Sequence, residues 1–281
     1  MTSDRSAHIA RFGTHGVWGG WDKFSPEQAR AIEELGYGTI WLGGSPKHLR
    51  PIRKILDATE AITVATGIVN IWNTDAAVIA DEYLELEDDF PGRFYLGIGA
   101  GHREAIASYQ KPYTAVNHYL DILDAKKVPT QRRILAALGP RMLRLSADRA
   151  LGAHPYLTQP THTALARAEL GDGVLLAPEH KVVVNIDPQK AREIGRPPVD
   201  QPYLHLTNYV SNLKRLGWAD VDIANGGSDA LIDALVAHGD AATVRAQVDE
   251  HLTAGADHVA IQVLGEDDPV GSLAEIVKAA G

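Results

Sequence analysis

The sequence of 281 residues contains no cysteine and has few positive charges relative to negative ones. Without cysteine the chain can form neither disulfides nor thiolate nucleophiles, and it cannot build a zinc site from thiolates. Its 27 lysines and arginines face 36 aspartates and glutamates, which gives a net charge of −9. This shortage of positive charge argues against nucleic acid and anionic membranes as partners.

Long apolar runs are also missing from the sequence. No stretch reaches the roughly 18 consecutive apolar residues that a membrane-spanning helix requires. Residues 1–11 are polar and lack the apolar segment of a secretory signal peptide. The sequence therefore predicts a cytoplasmic protein whose partner is a small-molecule substrate, with no nucleic acid and no membrane.

The remaining composition is that of an ordinary globular protein, with 45% hydrophobic and 22% charged residues. Short β-rich runs alternate with amphipathic helical runs, without a linker or a repeat. Eight such units predict an α/β fold, a single (β/α)₈ TIM barrel over residues 1–281, with extra helices near the C-terminal third. A doubly wound sheet is the main rival, but it places its glycine loop after the first strand, whereas the glycine-dense loop here follows the fourth.

The individual elements of this barrel can be located. Strands are predicted over residues 9–18, 39–42, 62–71, 94–98, 133–138, 153–157, 181–185 and 258–264. Helices are predicted over residues 26–35, 47–58, 75–89, 114–126, 140–150, 161–170, 228–238, 241–254 and 272–280. Ser25, Pro26 and Gln28 form the pattern of a capped helix start.

Binding and catalytic residues of a TIM barrel lie just after its strands. His15, His102 and His154 all fall at predicted strand ends. Histidine titrates near neutral pH and suits proton transfer, although a single histidine can equally be polar filling. His102 and His15 are the predicted catalytic residues. Glu104 and Glu179 could pair for acid–base work, but the sequence does not fix their separation.

Glycines stand at several of these strand ends, where they allow a flat ligand or a phosphate to approach the backbone. In residues 138–141, Gly139 permits a turn and Pro140 starts a helix, so that free N–H groups and Arg141 can hold an anion. The alternative is a plain helix start with a solvated arginine. Gly97 and Gly99 do not complete a dinucleotide fingerprint, because His102 stands where a third glycine is required.

Other kinds of site find little support. The sequence contains no convincing set of metal ligands, no G-x-S-x-G nucleophile motif and no P-loop. Trp18, Trp21 and Trp72 lie near the predicted mouth of the barrel. They could line the substrate side or pack in the core.

Six segments of the chain resemble the bacterial-luciferase-like flavin and deazaflavin oxidoreductases, especially the actinobacterial branch that uses coenzyme F420. These segments are Tyr37–Pro46, Thr66–Trp72, Arg93–Gly99, Ala136–Arg141, Gly152–Leu157 and Gly255–Val259. The resemblance covers most of the chain. It is more specific for the family than for the choice between F420 and FMN.

The resemblance implies a site for F420, with FMN as the alternative cofactor. It implies a non-proline cis peptide at Gly67–Ile68 that backs the ring, and Asn70 at the ring edge. Phosphate contacts would come from residues 138–140 and from the turn at His154. The cofactor-binding residues predicted in this way are Gly43, Gly67, Ile68, Asn70, Gly99, Gly101, Ala137, Leu138, Gly139, Pro140, Arg141 and His154. Family members are usually dimers, so a homodimer is expected.

The chain departs from the family in two places. His102 replaces an acidic residue that some members carry after the fourth strand, and Gly43 begins a pair of glycines where sugar-phosphate dehydrogenases carry Asp-His. The proton donor and the substrate therefore stay open. Three hypotheses remain: hydride transfer between F420 and a small organic substrate, an FMN-dependent monooxygenase that activates oxygen, and a non-catalytic protein that carries F420.

Overall fold

The computed structural model describes residues 2–44, 47–101 and 111–279, in which strands and helices alternate. The strands are β1 His15–Gly20, β2 Thr39–Gly43, β3 Thr63–Thr66, β4 Val69–Asn70, β5 Phe94–Gly99, β6 Arg133–Leu135, β7 Gly152–Ala153, β8 Leu175–Leu176, β9 Glu179–Val184, β10 Val236–Gly239 and β11 Val259–Val263. The α-helices are α1 Thr2–Ala10, α2 Pro26–Glu34, α3 Arg53–Ala58, α4 Ala76–Asp89, α5 Pro112–Ala125, α6 Pro140–Arg149, α7 Pro160–Leu170, α8 Pro188–Asp200, α9 Thr207–Arg215, α10 Asp220–Ile223, α11 Asp229–Leu235, α12 Ala241–Thr253 and α13 Val270–Lys278. Short 3-10 helices cover Arg50–Ile52, Thr130–Arg132 and Tyr203–His205.

The strands form one parallel sheet in the order β10-β9-β11-β1-β2-β3-β5-β6-β7-β8, and β4 pairs with β5. Only Ala177 and Pro178 separate β8, at one end of this order, from β9, which is second from the other end. The Ala177 N–H donates to the Ala153 carbonyl, and the Ala260 N–H donates to the Pro178 carbonyl. Residues 175–184 thus pair with β7 on one side and with β11 on the other, which closes the sheet and confirms the predicted α/β barrel.

Two hydrophobic layers hold the barrel together. The larger layer lies between the strands and the surrounding helices. The smaller one fills the barrel interior with Phe12, Trp41, Ala65, Tyr95, Ile134, Leu151, Leu175, Ala177 and Ala260. Helix α1 closes the amino end of the barrel, because Ile9 packs against this interior layer and His8 hydrogen-bonds the Tyr95 hydroxyl at 2.8 Å.

The first predicted strand is wrong in its boundaries, and the error matters for the site. Residues 9 and 10 belong to α1, and β1 begins only at His15. The apolar Ile9, predicted to lie in a strand, is instead on the face of helix α1 that packs against the interior layer. Because β1 runs from His15 to Gly20, His15 lies at its amino end and Trp18 lies near its carboxyl end.

Local sequence signals elsewhere correctly predicted two features of the helices. The capping box of α2 is confirmed, since the Ser25 hydroxyl accepts from the Gln28 N–H and the Gln28 side chain accepts from the Ser25 N–H. Helices α8 to α11, between β9 and β10, are the expected extra helices of the C-terminal third.

Three further predictions need correction. The helix over residues 228–238 ends at Leu235, and residues 236–239 form β10, because they pair with β9. The helix over 47–58 is divided into a 3-10 turn and α3. The strand over 62–71 is interrupted at residues 67 and 68. Among the helices described, none is both long and apolar enough to cross a membrane.

Candidate active site

A cavity of about 680 Å³ opens at the carboxyl ends of the strands. This is the end of a TIM barrel where active sites are found. The strand ends of the barrel contribute Trp18, Gly44, Gly67, Ile68, Asn70, Asn73, Ala100, Gly101, Ala136, Ala137, Leu138, Gly139, His154 and Tyr156. Helical segments contribute Pro112, Met142, Tyr203, Thr207, Asn208, Tyr209 and Ser211.

His154 lies at the floor of this cavity and is 1% exposed. Its ring stacks on Trp41 at 4.0 Å between centroids, with the planes 8° apart. Its Nδ1–H donates to the Ala177 carbonyl at 2.6 Å, so Nδ1 carries the proton and Nε2 is left as an acceptor. Burial lowers the pKa of His154 to about 4. The ring is therefore neutral at neutral pH.

Two polar atoms at this floor have no partner in the described part of the chain. They are the donor Trp18 Nε1 and the acceptor His154 Nε2. Both face Gly67, because a Cβ placed there would lie 2.9 Å from the indole nitrogen and 3.0 Å from the imidazole nitrogen. A buried polar group without a partner costs about 1–3 kcal/mol, which a ligand with a matching polar edge would recover. This floor therefore fits a ring with a polar edge.

The cavity wall beside this floor is the interruption between β3 and β4. The Gly67–Ile68 peptide is cis, as the resemblance implies. Ile68 and Asn70 line the cavity. Gly99 lies behind the wall, where a Cβ would stand 2.8 Å from the Ala136 Cβ. Gly101 has φ +58° and a Cβ on it would stand 2.6 Å from Asn70 Nδ2, so this position requires glycine.

The predicted anion turn lines the cavity through residues 136–139. Gly139 is the N-cap of α6 and provides no side-chain cap. Because Pro140 has no N–H and the Met142 N–H donates to the Gly139 carbonyl, the Arg141 N–H is the first-turn donor left for a ligand. Pro140 is the first residue of the helix and does not line the cavity. His162 donates from Nε2 to the Leu138 carbonyl at 2.9 Å and so holds the turn in place.

The structure places a second cation at this turn besides the one that the sequence indicated, and neither of the two lines the cavity. Arg141 is exposed and lies over the Tyr113 ring at 3.8 Å, outside the cavity lining. Arg215, from the end of α9, instead places Nη1 3.5 Å from the Leu138 carbonyl. It comes from 77 residues further along the chain, so no local pattern could have indicated it.

Other predicted residues lie away from the cavity or outside the described residues. His15 begins β1 at the opposite end of the barrel, where it is buried against Asp249, so its predicted catalytic position is wrong. Gly43 does not line the cavity but makes room for the Trp18 ring, which a Cβ would approach to 1.9 Å. His102 and Glu104 lie in residues 102–110, outside the described residues.

Of the three tryptophans considered for the mouth, only Trp18 lines the cavity. Trp21 and Trp72 pack against the outer hydrophobic layer, and Trp72 Nε1 donates to the Ala100 carbonyl at 2.6 Å. The structure also adds three phenols that sequence reasoning missed, namely Tyr156, Tyr203 and Tyr209. Within the described residues, no group of three or more His, Asp or Glu side chains is placed to hold a metal ion.

Comparison with known proteins bears on this geometry. Residues 23–125 match the family model described as luciferase-like monooxygenase. An F420-dependent secondary alcohol dehydrogenase, solved in complex with an F420–acetone adduct, superposes with a TM-score of 0.73 at 14% identity, covering 95% of this chain and 97% of that one. The coenzyme F420-dependent tetrahydromethanopterin reductase from Methanopyrus kandleri superposes with a TM-score of 0.67 at 17% identity, covering 94% and 98%.

A structure with a different cofactor is equally similar. The oxygenating constituent of 3,6-diketocamphane monooxygenase from Pseudomonas putida, in complex with FMN, superposes with a TM-score of 0.69 at 14% identity, covering 95% of this chain and 98% of that one. At these identities the superpositions establish a shared fold. Residues 23–125 are therefore similar to the luciferase-like monooxygenase family, and nearly the whole chain shares its fold with these solved enzymes.

Proposed function

We propose that this protein is an oxidoreductase that transfers a hydride between coenzyme F420 and a small organic substrate. The observation that carries the proposal is the unpaired donor of Trp18 and acceptor of His154 beside Gly67, at the floor of a cavity of about 680 Å³. When bound, a deazaflavin supplies or accepts the hydride, while the protein binds and orients the reactants.

Different residues around the cavity would contact different parts of the coenzyme. Trp18 and His154 would hydrogen-bond the polar edge of the ring, and Ile68 would pack against its face. The turn at residues 138–139, with the nearby guanidinium of Arg215, would hold the phosphate of the coenzyme. The apolar and aromatic lining would keep water away from the reacting atoms.

The second candidate is an FMN-dependent monooxygenase. It is favoured by the family model over residues 23–125 and by the likeness to an FMN-containing structure. The same donor and acceptor at the cavity floor could serve a flavin edge, so the cofactor has to be identified by binding.

Coenzyme binding to the purified protein tests the proposal. We expect the protein to quench F420 fluorescence at low micromolar concentration and to leave FMN fluorescence unchanged. Binding of FMN without binding of F420 would contradict the proposal and support the monooxygenase. If F420 binds but no substrate in a broad screen is turned over, the non-catalytic carrier is supported instead.

Two further predictions, one on His102 and one on assembly, follow from the same hypothesis. Replacement of His102 by alanine should leave F420 binding intact and reduce turnover if His102 handles a proton. A homodimer in the cytoplasm stays a prediction, and light scattering after size-exclusion chromatography tests the dimer.

A further inference from the structure

A buried ion pair lies inside the barrel next to the cavity. Glu179 and Lys181 are two residues apart on β9, so both side chains point to the same, inner face of the sheet. They are 0% and 1% exposed, and Lys181 Nζ lies 3.0 Å from Glu179 Oε1. Burying two charges is expensive unless both are hydrogen-bonded, so this pair needs an explanation.

Every donor of the Lys181 ammonium has an acceptor. Besides Glu179, it donates to the Tyr156 hydroxyl at 2.8 Å and to Gln262 Oε1 at 3.1 Å. The Tyr156 hydroxyl donates in turn to Gln262 Oε1 at 2.9 Å. The second oxygen of Glu179 accepts from the Leu157 N–H at 2.9 Å. The network therefore links the buried ammonium to the Tyr156 hydroxyl by hydrogen bonds, along which a proton can pass.

Tyr156 connects this network to the cavity. It is half-buried and lines the cavity, with its ring 5.1 Å from that of Trp18 and 5.3 Å from that of Tyr203. Among the described lining residues there is no lysine, arginine, aspartate or glutamate. The neutral ring of His154 carries its proton on Nδ1, so Nε2 has no proton to donate in the cavity. Tyr156 is therefore the lining residue with a direct link to a buried ammonium.

The protonation states suit a proton donor backed by a reservoir. Burial raises the pKa of Tyr156 well above its ordinary value, so the phenol keeps its proton at neutral pH. Burial is also the main reason that the pKa of Lys181 is lowered, which makes its ammonium a better proton donor than an exposed lysine.

We propose that Tyr156 is the catalytic residue that exchanges a proton with the substrate oxygen, and that Lys181, held by Glu179, is the positioning residue that orients the Tyr156 hydroxyl and restores its proton. This inference rests on the proposed hydride transfer. The substrate class is a small neutral carbonyl compound and its alcohol.

In the direction of reduction, the substrate carbonyl gains a hydride and a proton. The carbonyl carbon gains a C–H bond with a hydride from the reduced coenzyme, and the π electron pair of the C=O bond moves to oxygen. The Tyr156 O–H turns from Gln262 Oε1 to that oxygen and gives it the phenolic proton, because an alkoxide is a stronger base than a phenolate. The phenolate then takes a proton from the Lys181 ammonium, and water reprotonates the resulting amine. Oxidation of the alcohol is the reverse.

Replacement of Tyr156 by phenylalanine, Tyr156→Phe, tests the catalytic role, because it removes one hydroxyl and leaves Lys181 its contacts with Glu179 and Gln262. Tyr209→Phe is the matched control, since it makes the same change in the same cavity. The probes are F420 and a panel of small secondary alcohols and ketones. We expect Tyr156→Phe to bind F420 like the parent but to lower kcat by about 100-fold, as loss of a general acid does, whereas Tyr209→Phe should lower kcat by much less.

A spectroscopic measurement tests the role of Lys181 without turnover. In protein labelled with ¹³C at the tyrosine Cζ, the Tyr156 signal is identified by its loss in Tyr156→Phe. At neutral pH, removing the ammonium in Lys181→Met should shift this signal, because the phenol oxygen loses a charged hydrogen-bond donor. Lys181→Arg restores a charged donor and should move the chemical shift back toward that of the parent. An unchanged chemical shift in Lys181→Met overturns the positioning role.

The outcomes separate this inference from the proposed function. If the parent protein does not bind F420, the proposed function fails and this inference fails with it. If F420 binds and Tyr156→Phe turns over alcohols as fast as the parent, only the role of Tyr156 is overturned. If F420 binds and no alcohol or ketone of the panel reacts, the substrate class and the oxygen-directed proton step are overturned, while coenzyme binding stands.

Discussion

The two ends of the barrel use histidine in opposite ways. At the amino end, His15 donates to Asp249 at 2.7 Å and accepts from Thr14 at 2.9 Å. In the same region, His258 donates to the Gly13 carbonyl and accepts from Trp41 Nε1–H, both at 2.9 Å. At the carboxyl end, His154 has one ring nitrogen bonded and the other without a partner among the described residues.

This difference marks His154, which lines the cavity, as the histidine of the two barrel ends that has a ring nitrogen left for a ligand. A ring whose two nitrogens are both bonded within the protein stabilises the fold and has nothing left to offer a ligand. A buried ring with an unpaired nitrogen is destabilising by about 1–3 kcal/mol unless something else binds it. The contrast between a satisfied amino end and an incomplete carboxyl end can be tested by perturbing both.

The largest effect is expected from acid, which acts on both ends. Burial lowers the pKa of His154 and His180 to about 4 and that of His258 to about 3, against an ordinary value of 6.5. The unfolded chain therefore binds more protons than the folded one below about pH 6.5, and stability falls as the pH drops toward about 4. Each histidine should lower the free energy of unfolding by about 2 kcal/mol at about pH 5.

Chemical denaturation at neutral and at acidic pH measures this loss. The control is His258→Gln, which keeps an acceptor for Trp41 but does not titrate. It should reduce the slope of stability against pH by the contribution of one histidine. A free energy of unfolding that is the same at both values of pH would show that these rings are not held neutral.

The next effect is expected from the tryptophans. Trp41 is fully buried in the interior layer, whereas Trp18 is half-buried and lines the cavity. Trp41→Ala should lower the free energy of unfolding by about 3–5 kcal/mol, because it leaves a large cavity in a packed interior. Trp18→Ala should lower it by less and should weaken F420 binding. Guanidinium denaturation measures both, and equal losses would remove the distinction between the two ends.

A smaller effect separates the two histidines themselves. His15→Ala should lower the free energy of unfolding by about 1–3 kcal/mol and leave the Kd of F420 unchanged. His154→Phe keeps a ring on Trp41 but removes the acceptor at the cavity floor. It should weaken F420 binding by about tenfold, the equivalent of one hydrogen bond. Fluorescence titration decides the matter, and weaker binding in His15→Ala would contradict the assignment of His15 to the structural end.

The smallest effect is expected at the anion turn. Arg215→Ala should weaken F420 binding by no more than about fivefold, because an exposed ionic contact is worth about 1 kcal/mol or less. Arg141→Ala is the matched control at the other side of the turn and should bind F420 like the parent. The opposite ranking of these two variants would restore Arg141 as the phosphate contact.

Most of the barrel could be predicted from the sequence, because its signals are local. The capping box of α2 and the fourth and eighth strands, at 94–98 and 258–264, could be identified within one or two residues. Residues 236–239 look like the end of α11, and only pairing with β9 makes them a strand. Ile9 likewise belongs to helix α1, which packs against the interior layer, and no local pattern predicted this helix.

The candidate site was less accessible to sequence reasoning. The glycines at 67 and 139 are strand-end signals, and the structure places both in the cavity lining. Arg215 and Gln262 could not be connected to the site, because each meets its partner only through the closed barrel. Glu179 was noticed as a possible acid–base residue, but its contact with Lys181 depends on both side chains pointing inward.

The sequence by itself determined the α/β class, the order of the elements and which strand ends carry small or titratable residues. Composition and periodicity depend only on residues that are close together in the chain, so they can be determined without knowledge of the fold. The tertiary structure decided which histidine faces the cavity, which arginine lies at the anion turn and which charges are buried together. Those properties depend on closure of the barrel, because a side chain's hydrogen-bond partners and exposure are set by residues that are distant in the chain.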